Sequence, residues 1–176
     1  DLKEFFQYGQ TVEGEELPGE DYPPNISVDE VPQLAPTLFQ VYRAFEKSGK
    51  ALLSAIAIYL GLDENHFDRF VHNGNSIIRC IHYPPITQEP KSSIRAEQHE
   101  DINLITLLVG ASADGLQVMN KAGEWVDAKA APDEIVVNVG DMLQRLTNNK
   151  LRSTTHRVVN PPRELWGTSR YSIPFF

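Results

Sequence analysis

Thiols are nearly absent from this sequence. Its one cysteine, Cys80, permits no internal disulfide and no thiolate-rich zinc site, so the fold is expected not to need an oxidising compartment. Clusters of basic residues are missing as well. Lys and Arg number 16 against 24 Asp and Glu, a formal charge of −8, whereas binding through phosphates requires concentrated positive charge. Nucleic acid is therefore not an expected partner. Long apolar runs are also scarce: the longest, Ala51 to Leu60, is about half of what a membrane span requires. The opening Asp1-Leu2-Lys3-Glu4 carries no signal-peptide pattern. The expectation is a soluble, cytoplasmic protein with no membrane partner.

What is present suits one globular domain. The chain has 176 residues, 41% of them hydrophobic and 23% charged, enough to bury a sizeable core. Residues 1–28 are acidic and rich in Gly and Pro without sustained periodicity, which predicts an irregular leader. From Asp29, apolar residues recur at three- and four-residue steps through Val31, Leu34, Leu38, Val41, Tyr42, Phe45, Leu52, Leu53, Ile56, Tyr59 and Leu60. That spacing predicts a long amphipathic helix with Asp29 as N-cap and Gly61 as its stop. A shorter helical turn follows over Asp63–Phe70, so residues 29–72 form a helical support. After Asn73-Gly74 the period shortens.

Runs at Ser76–Tyr83, Ile102–Val109, Leu116–Asn120, Trp125–Ala128, Ile135–Val139, Met142–Leu146, Thr155–Val159 and Arg170–Phe176 read as strands. Eight short strands suit a jelly roll, a double-stranded β-helix, over residues 73–176. The fold expected is mainly β, with the long N-terminal helix packed on one sheet.

Five histidines invite a search for metal ligands. In His99-Glu100-Asp101 an imidazole and a carboxylate stand at i and i+2, which on an extended strand project from one face. The same triplet recurs at His66-Phe67-Asp68, but there a helical turn separates the two side chains by roughly 200°. The third ligand has to come from elsewhere, and His156, in the β-rich run Ser153–Val159, is the candidate. Two imidazoles and one carboxylate on a β scaffold are the facial triad of non-haem ferrous sites, which leaves positions open for oxygen and a chelating cosubstrate. Read separately, His99 and His156 are equally consistent with ordinary half-buried strand histidines.

Arg170 and Ser172 stand at i and i+2 on the last strand, so a guanidinium fork and a hydroxyl face the same way and can hold one carboxylate. Tyr83 can add a phenolic donor. A surface ion pair in an acidic protein is the alternative role for Arg170. Cys80 and His82 alternate with Ile81 and Tyr83 and should point away from any site on the Tyr83 side. Arg157, next to His156, should face the opposite side and form a supporting salt bridge. Asn138, Gly140 and Asp141 are expected to build a turn, with Gly140 supplying unusual backbone angles. Trp125 is expected in the core, and His72 in an exposed loop.

The order of these segments carries more than each alone. Arg79-Cys80-Ile81-His82-Tyr83-Pro84-Pro85, His99-Glu100-Asp101 leading into Leu104–Leu108, Gly123-Glu124-Trp125-Val126, Val137–Asp141, Leu146–Asn149, Ser153–Val158 and Arg170–Phe176 closely resemble the isopenicillin N synthase-like family of non-haem iron(II), 2-oxoglutarate-dependent dioxygenases. The resemblance covers about Asp29 to Phe176. It implies a jelly roll with His99, Asp101 and His156 as the iron ligands, Arg170 and Ser172 as the pair that binds the distal carboxylate of 2-oxoglutarate, and Tyr83 assisting them. One departure is visible: plant-type members carry an asparagine and two tyrosines before the paired prolines, where this chain has Ile81-His82-Tyr83. The asparagine contact is lost and the second tyrosine kept.

The resemblance further implies hydroxylation or desaturation of a small molecule through a ferryl intermediate, with molecular oxygen consumed and succinate and carbon dioxide released. An oxidase like isopenicillin N synthase, which uses the same triad without 2-oxoglutarate, is the alternative. A jelly-roll binding module without catalysis is a third reading. A chain that starts without Met and ends on Ile173-Pro174-Phe175-Phe176 is expected to be part of a longer one, with further chain at both ends. Neither the prime substrate nor the oligomeric state is written in these motifs.

Overall fold

The computed structural model describes residues 2–12, 22–131 and 133–176. Its strands are β1 (Glu4–Gly9), β2 (Ile77–Tyr83), β3 (Ala96–His99), β4 (Ile105–Val109), β5 (Leu116–Met119), β6 (Trp125–Asp127), β7 (Ile135–Val139), β8 (His156–Val158) and β9 (Arg170–Phe175). The helices are α1 (Leu34–Tyr59), α2 (Asp68–Val71) and α3 (Asp141–Leu146). One sheet has five strands in the order β1-β2-β9-β4-β7, the other four in the order β3-β8-β5-β6. The fold is mainly β, a jelly roll as expected. Among the described residues no helix is long and apolar enough to cross a membrane.

The chain divides into two compact units, Asp1–Phe6 with Arg79–Pro174 and Phe176, and Gln7–Ile78 with Phe175. In the first, the two sheets meet face to face through Ile81 and Tyr83 of β2, Ala96 of β3 and Val158 of β8, with Leu116 of β5 packed against them. Burying these side chains supplies the main driving force for closing the sandwich. The β4/β7 ladder runs in unbroken register from Ile105↔Val139 to Val109↔Ile135, so alternate residues of both strands share a face.

In the second unit, α1 buries Leu38, Tyr42, Phe45, Gly49, Leu53 and Ala57, one stripe at three- and four-residue steps. Phe175 stacks on Phe45 at 5.4 Å and meets Tyr42 edge-on at 5.1 Å. The Tyr42 hydroxyl donates to the Ser76 carbonyl at 3.1 Å.

Several local expectations are corrected. Asp29 does not cap α1; it accepts from the Ser27 hydroxyl in a preceding turn, and the N-cap is Gln33. Pro32 disfavours helical backbone at Val31, which delays the start, whereas Pro36 lies in the first turn, where no amide donor is needed. Gly61 does end the helix, with φ +75°. Met142–Leu146 is helix, not strand. Its run of Met, Leu, Gln and Arg favours helix, Leu143 is fully buried, and left-handed Asn148 and Asn149 follow. β1 lies inside the stretch read as irregular, of which residues 1 and 13–21 fall outside the described residues; its adjacent Phe5 and Phe6 hide the alternation. β3 was also unmarked, because Ala-Glu-Gln-His has little strand preference and is held in place by pairing with β8.

Candidate metal centre and anion pocket

Pairing of β3 with β8 sets His99 directly opposite His156. Their rings lie 4.3 Å apart, centroid to centroid. A register shift between Ala96 and His99 ends the regular ladder there, and the chain leaves β3 after His99, so Asp101 reaches the site from a loop instead of from the strand expected. One carboxylate oxygen, Oδ1, lies 4.0 Å from His99 Nε2 and 3.8 Å from His156 Nε2. The ligand atoms of all three residues fall within 4.8 Å of one another.

Each histidine is fixed by its other nitrogen. His99 Nδ1 lies 2.7 Å from the Glu97 carbonyl, and His156 Nδ1 lies 2.9 Å from the Thr154 carbonyl. A carbonyl only accepts, so Nδ1 carries a proton in both rings, and Nε2 is the nitrogen turned toward Asp101. Asp101 is divided in the same way. Its Oδ2 accepts from the Thr106 hydroxyl at 2.6 Å and from Asn138 Nδ2 at 2.8 Å, which leaves Oδ1 toward the histidines. Asn103 Nδ2 donates in turn to the Thr106 hydroxyl at 2.9 Å. Three converging donors, each oriented by a partner, form a metal-binding arrangement with its supporting layer in place.

The loop carrying Asp101 is tied to the start of α3. Asp141 N donates to the Asp101 carbonyl at 2.7 Å, Gly140 N to Leu104 O at 3.0 Å and Met142 N to Asn103 O at 3.1 Å. Gly140 does not supply unusual backbone angles: its φ is −103°. Space is the reason for glycine, since a Cβ there would collide with the side-chain and backbone oxygens of Asn103 and lie 2.9 Å from the Asp101 carbonyl. Asn138 is not a turn residue either but a β7 residue aimed at Asp101.

Arg170 and Ser172 share the buried face of β9, while Tyr171 and Ile173 between and beyond them are exposed. The Arg170 guanidinium lies 5.0 Å from the centre of the Tyr83 ring. Burial pushes the Tyr83 phenol up, opposed by the charge and hydrogen bonding of Arg170 and by the charge of Arg95. Burial pushes Arg170 down, opposed by Tyr83. His156 and Val158 share a face of β8, and Val158 packs with Tyr83, so the histidine opens toward the interior that Tyr83 lines.

The remaining candidates lie away from this interior. His82 bridges Glu4 at 2.6 Å and Ser169 at 3.0 Å and stacks on Tyr171. Among the described residues Arg157 forms no salt bridge; it donates to Gln117 at 2.9 Å and covers the half-buried Trp125 ring at 4.1 Å. Cys80 is half-buried, and burial pushes its thiol up.

Comparison with known proteins decides the family. The model of the 2OG-Fe(II) oxygenase superfamily matches residues 74–176. The chain belongs to that superfamily. A solved 2OG-Fe(II) oxygenase family protein from Caulobacter crescentus superposes with a TM-score of 0.90 at 44% identity, covering 100% of this chain and 57% of that one. A full-length Neurospora crassa protein solved with alpha-KG gives 0.87 at 35% identity, covering 100% and 55%; it has also been solved with alpha-KG and thymine. The 2-oxoglutarate-Fe(II) type oxidoreductase hxnY of Emericella nidulans is 34% identical over 153 residues, 85% of this chain and 43% of its own length. The chain thus spans about half the length of the superfamily members it matches.

Within this superfamily member, sequence reasoning missed Thr106 and Arg95 and singled out Asn138 only as a turn residue. Thr106 and Asn138 sit in ordinary β-rich runs, and only the β4/β7 register reveals that they face Asp101 together. Arg95 precedes an unrecognised strand.

Proposed function

We propose that this chain carries the centre of an iron(II)- and 2-oxoglutarate-dependent oxygenase that oxidises a small molecule by hydroxylation or desaturation. The observation that carries the reading is the convergence of His99, Asp101 and His156, each with one donor atom held free by a hydrogen bond to the other. In this reading those three residues ligate iron. Two neutral imidazoles and one carboxylate suit ferrous iron and leave open positions on it. Arg170, Ser172 and Tyr83 take the distal carboxylate of 2-oxoglutarate, and Arg170 Nη1, buried without a hydrogen-bond partner, fits that role.

Bound iron would supply the oxidation, spending dioxygen and converting 2-oxoglutarate to succinate and carbon dioxide. The chain's own residues position. Thr106 and Asn138 keep Asp101 turned with Oδ1 toward the metal. The Glu97 and Thr154 carbonyls hold each imidazole by Nδ1 and so present Nε2 to the metal position. Arg170 fixes the far end of the cosubstrate, and with it the register of the keto acid end. His99, the most open ligand at 45% side-chain exposure, marks the side from which substrate enters.

Thymine in the Neurospora crassa complex supports a small, compact organic substrate. The disulfide-free, acidic composition supports a cytoplasmic location. The reading is tested by succinate formation from 2-oxoglutarate with Fe²⁺ under air, with and without a panel of small heterocyclic and amino-acid substrates. Turnover that needs both metal and 2-oxoglutarate is expected. Protein that binds iron yet never consumes 2-oxoglutarate would contradict it.

A further inference from the structure

Two arginines, not one, are buried against Tyr83. Arg170 lies 5.0 Å and Arg95 5.8 Å from the ring centre, and each is 1% exposed. Their partners are sparse. Arg95 spends an Nη on the Thr168 carbonyl at 3.2 Å and Arg170 its Nε on the Ala113 carbonyl at 3.0 Å. Arg95 Nε and Arg170 Nη1 are buried without a hydrogen-bond partner among the described residues. No carboxylate among the described residues forms an ion pair with either. Asp114, whose field reaches Arg170, is mostly exposed and already paired with Lys129 at 3.0 Å.

Two like charges around one phenol, with N–H groups unsatisfied, are a costly arrangement for a protein to bury unless an anion answers both. One guanidinium can hold a carboxylate by its fork. A second, set on the same ring, raises the positive potential of the pocket and keeps the phenol from drifting off the first. Burial and the charge of Arg170 both push Arg95 down, as mutual repulsion requires when no counter-ion intervenes.

We infer that Arg95 is a second cationic positioning residue of the cosubstrate pocket, acting with Arg170 through Tyr83 to select a 2-oxo acid that bears a distal carboxylate over one that does not. The inference rests on the 2-oxoglutarate reading above. It extends the Arg170-Ser172-Tyr83 set by the residue just before β3, the strand that ends on His99, so one short segment carries both a metal ligand and part of the anion pocket.

The test is anaerobic calorimetric titration of the Fe²⁺-loaded protein with 2-oxoglutarate and, separately, with 2-oxobutanoate, which keeps the keto acid end but has no distal carboxylate. Arg95→Met is expected to weaken 2-oxoglutarate by about tenfold, as loss of one charge-assisted contribution implies, and to leave 2-oxobutanoate unchanged. Arg95→Lys, which keeps the charge and also serves if the Met variant fails to fold, is expected to recover most of the 2-oxoglutarate affinity while leaving 2-oxobutanoate alone. Equal loss for both ligands in either variant, or unchanged affinity for both ligands in Arg95→Met, overturns the inference while the oxygenase reading stands. Wild-type protein that binds iron but no 2-oxoglutarate overturns both.

Discussion

Thr106 and Asn138 stand directly opposite one another across the β4/β7 ladder, and both donate to the same oxygen of Asp101. Their pairing aims the other oxygen at the two histidines. Without it the carboxylate, 5% exposed, would keep its burial and lose its orientation.

Removing the hydroxyl should therefore act on metal affinity before fold. Thr106→Val keeps the shape of the side chain, and loss of a partner in the supporting layer typically lowers metal affinity by about 10–100-fold. Competition titration with a chromogenic chelator measures it. Affinity equal to wild type would show that Asp101 is oriented by other means.

Gly140 is predicted to tolerate no side chain. A methyl group would displace Asn103 and the Asp101 carbonyl, and overpacking of this kind costs about 1–3 kcal/mol. Gly140→Ala should lower the urea midpoint and weaken metal binding together, because one loop carries both. A fall in stability with unchanged metal affinity would separate them.

The outline of the fold was legible because its strands are short runs rich in apolar and β-branched residues set off by turn residues, as in Ile77–Tyr83 and Ile135–Val139. The convergence of His99, Asp101 and His156 was legible because their spacing and order are chemical constraints. The supporting layer was not. Nothing local distinguishes Asn138 from any other polar residue in a strand, since its role is created by register with Thr106. Met142–Leu146 failed for a different reason: five residues, apolar only at Met142, Leu143 and Leu146, are too few to establish a period. Gly140 was singled out, but steric room between chain segments distant in sequence is invisible before folding.

Arg170→Ala should weaken 2-oxoglutarate binding by about 2–5 kcal/mol, the cost of breaking a buried charge-assisted pair. Titration of metal-loaded protein reads the change directly. Unchanged affinity would remove Arg170 from the pocket.

His82→Ala is expected to leave metal binding untouched. The side chain faces away from the ligands and engages Glu4 and Ser169; a loss of bound metal would contradict the strand alternation. Cys80 faces the same way. Because burial pushes its thiol up, less of it is thiolate at any given pH than in a peptide, so iodoacetamide should label it more slowly at pH 8 and the half-rate should move to higher pH. A peptide-like rate would contradict that environment.

The central claim is that His99, Asp101 and His156 make one ferrous site. Its most direct measurement is the iron content of anaerobically reconstituted protein after desalting, for wild type and Asp101→Ala side by side. One Fe²⁺ per chain in the wild type and none above background in the variant is the predicted result. Equal iron in both, or none in the wild type at saturating Fe²⁺, would contradict it.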